Sequence, residues 1–164
     1  PVTEVYCVKF PPSGRLLDDI TTAKPEGVPD VVVSCVDTLH GREKIAKWCM
    51  DKGVALFIDT RALGEVAVLC AATQGQFDEY LTSLPREKDV EQDARCGATG
   101  GAFTGMWVGS QVAAWINQFY RGMTLPKMLV WHVGLNQEIN RIMYAAKGGE
   151  AEENDLQFEA AYRD

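Results

Sequence analysis

The hydrophobic positions of residues 30–59 form two apolar runs separated by a stretch with helical spacing. Each run ends in an acid, the first at Asp37 and the second at Asp59. Thr38 is placed to cap the intervening helix, Gly53 to end it, and its apolar stripe consists of Ile45, Trp48 and Cys49. The pattern predicts a strand–helix–strand unit with two parallel, buried strands. Carboxylates at the carboxyl ends of such strands face the crevice in which open α/β sheets bind ligands.

Similar patterns before and after this unit predict further elements. Alternating or apolar runs predict strands at residues 2–10, 65–71, 125–133 and 156–162. Helical spacing predicts short helices at residues 15–23 and 76–84, and residues 136–146 are typical of a weak helix or an edge segment. The predicted fold class is therefore α/β, with a Rossmann-like, mostly parallel sheet flanked by helices and an antiparallel C-terminal part. We expect residues 1–164 to form a single domain.

The longest helical pattern follows Cys96 and runs to about Arg121, where Gly122 stops it. Apolar residues occur nearly all round this segment, so we expect the helix to be largely buried. Three glycines fall on one face of it at intervals of four, namely Gly101, Gly105 and Gly109. That spacing permits close backbone approach, either to the sheet or to a second subunit.

Charge and cysteine content exclude several classes of function. The chain has 164 residues, with 16 Lys and Arg against 23 Asp and Glu, which gives a net charge of −7. General affinity for nucleic acid or for an anionic membrane is therefore not expected. The apolar runs are too short for a membrane span and residues 1–10 lack the features of a signal peptide, so a cytoplasmic protein is expected. The five cysteines form no close pairs, so neither a disulfide framework nor a Cys-x-x-Cys zinc site is predicted.

Two acid–arginine pairs could carry chemistry at the predicted crevice. Asp37 could hold a metal ion that neutralises phosphate charge, and Arg42 on the adjoining helix could contact an anion. The alternative is an acid that caps the helix and an arginine that faces solvent. Asp59 and Arg61 follow the next strand, close to the same crevice, and we predict that they contact a cofactor. A structural ion pair between them is the alternative.

Cys96 is the only cysteine outside an apolar run. It lies between Arg95 and a glycine-rich helix start, where the positive neighbour and the helix N-terminus both favour the thiolate. A catalytic nucleophile is one interpretation of this position. Residues 97–101 could instead form an anion-binding loop, although no strand precedes them and the P-loop and G-x-G-x-x-G patterns are missing.

In order along the chain, these segments resemble the ThiF/MoeB/HesA family of ubiquitin-activating-like adenylyltransferases. The resemblance is carried by the apolar strand with Asp37 and Arg42, by Ile58-Asp59-Thr60-Arg61 with its glycine turn, and by Arg95-Cys96-Gly97 before the long helix. It covers residues 31–122, with a weaker continuation through the strand at 129–133. The amino-acid sequence of these segments is similar to that of the zinc-free ThiF-like proteins of bacteria and phages.

The resemblance implies an ATP-dependent enzyme that adenylates the C-terminal carboxylate of a ubiquitin-like or sulfur-carrier protein. Asp37 matches the family's ATP and magnesium aspartate, and Arg42 matches the motif arginine. Cys96 falls where the catalytic cysteine lies in members that transfer sulfur. The implied cofactors are ATP and Mg²⁺, and the implied assembly is a homodimer.

The sequence also departs from the family pattern. The glycine-rich nucleotide loop, the acid that reads the ribose and the basic segment of the family's N-terminal half do not occur in it. We therefore expect this chain to bind ATP poorly unless another segment, another chain or a dimer partner supplies that half. One alternative is a non-catalytic module that keeps the fold for dimerisation or protein docking. Another is a different small-molecule enzyme on a Rossmann-like sheet.

Overall fold

The computed structural model describes residues 27–85 and 101–143, which form a five-stranded open sheet with helices on both faces. In chain order the elements are β1 (Val31–Ser34), α1 (Leu39–Lys52), β2 (Leu56–Leu63), β3 (Val66–Thr73), α2 (Phe77–Thr82), α3 (Gly101–Tyr120), β4 (Met128–His132) and β5 (Gln137–Ile142). The strands lie in this same order across the sheet. β1 and β2 are parallel, and the other three pairings are antiparallel. The predicted α/β fold class is confirmed. The described sheet is mixed rather than mostly parallel, because only the β1–β2 pair is parallel and the hairpin after β2 makes β3 antiparallel to it.

Several predicted features lie outside the described residues. These are the strands at residues 2–10 and 156–162, the helix at residues 15–23, and Cys96. The segment predicted as a weak helix or an edge segment forms β5, an edge strand of the described sheet.

The predicted strand–helix–strand unit is confirmed as β1–α1–β2. The Thr38 hydroxyl caps α1 by accepting a hydrogen bond from the Gly41 N–H at 3.2 Å. At the other end, Gly53 has a φ of 75°, the left-handed conformation with which helices commonly end. Ile45 and Cys49 are buried on the side of α1 that packs on the sheet. The local signals for capping, periodicity and termination thus agree with the packing.

Alternation along the strands divides the core into two layers. On one face, α1 and α2 pack on the sheet, and Phe57 meets Tyr80 edge-on with 5.2 Å between the ring centroids. On the opposite face, α3 packs on the sheet through Trp115, and Trp107 stacks on Trp131 at 5.4 Å. Successive side chains of a strand point to opposite faces, so neighbouring residues of β2 belong to different layers.

The prediction that the second strand ends at Asp59 is wrong. β2 continues to Leu63 and turns into β3 through Gly64 and Glu65. Gly64 has a φ of 59°, and a glycine at positive φ in the first position of a two-residue loop is typical of a type II′ hairpin. Asp59 is therefore inside the sheet, although its register partner, Ser34, is the last residue of β1.

The predicted helix after Cys96 is confirmed as α3, but the expectation that it is largely buried is wrong. In α3 only Thr104 and Trp115 are buried, whereas Phe103 and Met106 are 81% and 75% exposed. A sheet covers one side of a helix, and no other element of the described ranges packs on the far side of α3. The three glycines of the helix also lie open: a Cβ added to any of them would meet no atom within 4 Å. Among the described helices, none combines the length and the apolar character needed to cross a membrane.

Candidate functional site

A buried cluster of one acid and two arginines lies where β1 leaves the sheet. Asp59 and Arg61 project from the same face of β2, and Arg42 reaches them from the first turn of α1. Arg42 Nη1 donates to Asp59 Oδ1, and Arg61 Nε donates to Asp59 Oδ2 at 2.9 Å. The Asp59 side chain is completely buried. Both of its carboxylate oxygens are therefore occupied by arginine donors.

Arg42 also connects two separate segments of backbone. Nη1 donates to the Thr60 carbonyl at 2.8 Å, and Nη2 donates to the Val36 carbonyl. The residue is only 6% exposed, so the alternative of an arginine that faces solvent does not apply. These bonds tie the loop after β1 to β2, and the loop leads directly to Asp37.

Neutral groups complete the surroundings of the cluster. Cys70 is opposite Asp59 on β3, and burial raises the pKa of its thiol to about 11. Burial and the Asp59 carboxylate raise the pKa of Tyr80, which projects from α2. Cys70 and Tyr80 are therefore uncharged near neutral pH, so neither serves there as a thiolate or phenolate nucleophile.

Asp37 lies at the carboxyl end of β1, immediately before the Thr38 cap of α1, and it is exposed. It forms no ion pair with any residue in the described part of the chain. Arg42 does not contact the Asp37 carboxylate and instead donates to the carbonyl of the preceding residue, Val36. Within residues 27–85 and 101–143, no three His, Cys, Asp or Glu side chains are grouped to hold a metal ion. Nucleotide-bound Mg²⁺ is commonly held by one or two protein carboxylates together with phosphate oxygens. The single Asp37 carboxylate fits that donor set.

The structure adds Cys35, a cysteine of the first apolar run that the sequence analysis did not single out. Cys35 follows directly after β1 and is exposed. Its sulfur lies 3.3 Å from the Thr60 hydroxyl, which also lies 3.0 Å from the Ser34 carbonyl. The available sequence signal for its exposure was its position near the end of an apolar run, because the chain often leaves the sheet at the last residues of such a run. The predicted role of Cys96 stays a prediction.

No family model and no curated protein matches the sequence. The resemblance to the ThiF/MoeB/HesA family thus depends on the residues quoted for it. The structure brings Arg42, Asp59 and Arg61 into one cluster and leaves Asp37 exposed at the edge of the same strand pair. The predictions that Asp59 and Arg61 contact a cofactor and that Asp37 binds metal stay predictions.

Proposed function

We propose that this chain is the part of a ThiF-type, ATP-dependent adenylyltransferase that carries the metal-binding aspartate. The substrate is the C-terminal carboxylate of a ubiquitin-like or sulfur-carrier protein. One observation supports this most directly: the buried Arg42 guanidinium fixes the loop that presents the exposed Asp37 carboxylate. A family half with a glycine-rich nucleotide loop has to complete the site.

The free-energy cost of burying the charges of the cluster supports a positioning role for Arg42. Burying charged side chains carries a desolvation penalty that an ion pair often fails to repay, so a buried pair is weak evidence for stability. The hydrogen bonds of Arg42 to Val36, Asp59 and Thr60 have a different consequence, because they fix the loop after β1 relative to β2. A rigid loop holds the Asp37 carboxylate in one place, and pre-organised charged groups need no rearrangement during a reaction.

The residues divide into distinct roles in this proposal. Asp37 holds Mg²⁺, which when bound with ATP supplies positive charge next to the phosphate oxygens. Arg42 positions the loop, and Asp59 anchors Arg42 from inside the sheet. In this proposal Asp59 acts through Arg42 and not on the nucleotide, since its buried carboxylate accepts hydrogen bonds from both arginines. The Cys96 thiolate attacks the carbonyl of the acyl-adenylate, and a thioester forms as AMP leaves.

ATP–pyrophosphate exchange tests the proposal. The protein should contain any native sequence upstream of Pro1, so that the nucleotide-binding half is present if the same chain encodes it. Asp37→Ala should reduce exchange by about 100-fold or more, because a charge-stabilising group at the reacting phosphate is removed. Asp51→Ala is the matched control, because Asp51 is an exposed aspartate on α1, far along the helix from Asp37. Equal exchange in the two variants, or none in the unmodified protein, contradicts the proposal.

A non-catalytic dimerisation module is the second candidate, and α3 is the observation that favours it. None of the twenty residues of α3 is charged, although the whole chain has a net charge of −7. In a two-fold contact the same surface meets itself, so a surface without charge avoids the repulsion that an acidic surface would cause. Phe103 and Met106 supply exposed apolar contact area. In this second candidate the partner is a second copy of the chain, and nucleotide exchange is absent.

A further inference from the structure

We propose that Arg61 binds an oxyanion, a carboxylate or a phosphate, at the point where β1 leaves the sheet. Arg61 is two residues beyond Asp59 on β2, and Asp59 is level with the last residue of β1. The Arg61 side chain is thus beyond the end of β1, on the sheet face covered by α1 and α2. Its side chain is 19% exposed, so part of it is in contact with solvent.

The charges around Asp59 do not balance. Arg42 and Arg61 share the single carboxylate of Asp59. Two cations therefore face one carboxylate in the described residues, which leaves an excess of one positive charge. An unbalanced charge next to a completely buried carboxylate is costly, and an anion in contact with the arginine offsets that cost.

The hydrogen bonds assign the excess charge to Arg61. Arg42 uses both terminal nitrogens, on Asp59, Thr60 and Val36. Arg61 makes one hydrogen bond with described residues, through Nε, so its two terminal nitrogens have no acceptor there. On the same face, the buried Ser34 hydroxyl is also without a partner in the described residues.

Guanidinium geometry defines the class of ligand. Two parallel N–H groups of arginine match two oxygens of a carboxylate or a phosphate, which is why arginine is common at sites that bind these anions. Cys70 and Tyr80, which neighbour Arg61, are uncharged near neutral pH and do not compete with the anion. The choice between the two anions rests on the proposed function, in which the nucleotide supplies phosphate and the protein substrate supplies a carboxylate.

Thermal unfolding of the whole chain without ATP tests the assignment. The probes are sodium phosphate, pentaglycine with a free carboxyl terminus, and amidated pentaglycine, each compared with NaCl at equal ionic strength. A ligand that binds only the folded state should raise Tm by about 3–6 °C at ten times its Kd. A rise with phosphate alone identifies a phosphate site, and a rise with the free but not the amidated peptide identifies a carboxylate site.

Arg61→Gln should abolish the rise in Tm, because it removes the charge and keeps the Arg42–Asp59 pair. Arg61→Lys keeps the charge but not the two parallel N–H groups, so it should retain only part of the rise. Arg141→Gln is the control, since Arg141 pairs with Glu138 on the exposed edge strand and should leave the response unchanged.

Three results overturn the assignment: a full response in Arg61→Gln, an equal response to NaCl alone, or no response in the unmodified chain. The assay is independent of nucleotide exchange. If exchange depends on Asp37 while the anion response fails, only the role of Arg61 is lost. If the anion response depends on Arg61 while exchange is absent, the adenylyltransferase proposal is lost and the anion site remains.

Discussion

The Asp59 carboxylate is the only acid in contact with the Arg42 and Arg61 guanidiniums among the described residues. Asp59→Asn keeps the size of the side chain but removes its charge, which leaves two partly or fully buried cations without compensation. We expect a loss of about 3–5 kcal/mol in the free energy of unfolding, the usual cost of breaking a buried ion pair. Urea unfolding measures the loss.

Glu43→Gln is the matched control for Asp59→Asn. Glu43 pairs with Lys47 one turn away on the surface of α1, and both side chains are exposed. Exposed pairs of this type contribute little, so the stability of the control should equal that of the unmodified chain within error. An Asp59→Asn variant as stable as this control would show that the cluster does not need its acid.

Buried acidic groups with raised pKa values predict a loss of stability at alkaline pH. Burial raises the pKa of Cys49 from 9.0 to about 12 and that of Cys70 from 9.0 to about 11. Below pH 9 both thiols are protonated in the folded and the unfolded chain, so their contribution is complete. Above pH 9 the unfolded chain releases these protons and the folded chain keeps them, so each thiol lowers the stability by about 1.4 kcal/mol per pH unit until its folded pKa is reached.

Urea unfolding between pH 8 and pH 11 measures this dependence. Cys70→Ala should make the decline in stability less steep, whatever its effect on stability at pH 8. Cys35→Ala is the matched control, because it removes an exposed cysteine. Equal slopes in the two variants would show that Cys70 releases its proton as easily in the folded chain as in the unfolded chain.

The residues of the site were predictable as types and not as partners. The sequence places an acid after each apolar run and leaves a structural Asp59–Arg61 pair open as an alternative. The structure contains that pair because both residues project from the same face of β2. The Arg42–Asp59 bond joins residues 17 positions apart and depends on how closely α1 approaches β2. No local sequence pattern specifies how closely α1 approaches β2, so the burial of Arg42 could not be predicted from the sequence.

At the scale of elements, Gly41 at the start of α1 is the most tightly packed glycine near the site. A Cβ on Gly41 would lie 2.8 Å from the Thr38 hydroxyl and 3.2 Å from a Val36 methyl group. Gly41→Ala must therefore displace the capping hydroxyl, which offsets the usual gain of about 1 kcal/mol for alanine in a helix. Gly109→Ala in α3 meets no atom within 4 Å and should show the full gain.

Chemical denaturation of the two glycine variants, at concentrations where the chain is monomeric, tests this difference. Gly41→Ala should be about 1–2 kcal/mol less stable than Gly109→Ala, since one variant loses a cap and the other does not. The Gly41 variant should also weaken ATP–pyrophosphate exchange if the proposed function holds, because Thr38 adjoins Asp37. Equal stability of the two variants would show that Thr38 and Val36 move aside at no cost.

The elements themselves differ in how far the sequence defines them. β1, α1 and β2 were predicted because their apolar runs, cap and glycine stop are all local signals. The end of β2 was not, because Asp59 resembles a terminating polar residue until the turn at Gly64 is recognised as a hairpin. The exposure of α3 was not predictable from its composition: apolar residues all round a helix show that it is hydrophobic, and they do not show which element covers each side.

At the scale of the whole molecule, the sheet separates the two surfaces to which functions are assigned. The Arg42–Asp59–Arg61 cluster is on the face covered by α1 and α2, and α3 packs on the opposite face. A substitution on the exposed side of α3 should therefore leave the cluster intact. The two candidate functions can accordingly be tested one at a time in the same protein.

Self-association through α3 is the prediction that belongs to this scale. Phe103→Glu and Met106→Glu each introduce a charge on the exposed side of α3, where the unmodified helix has none. If two copies meet there, each substitution brings two like charges together in an apolar contact and should convert a dimer into a monomer, as measured by light scattering coupled to gel filtration. Folding should be unaffected, because both side chains are already exposed. Ile139→Glu is the control, since Ile139 is an exposed apolar residue on edge strand β5. A monomeric unmodified chain, or a dimer that resists the α3 substitutions as well as it resists Ile139→Glu, would rule out α3 as the contact.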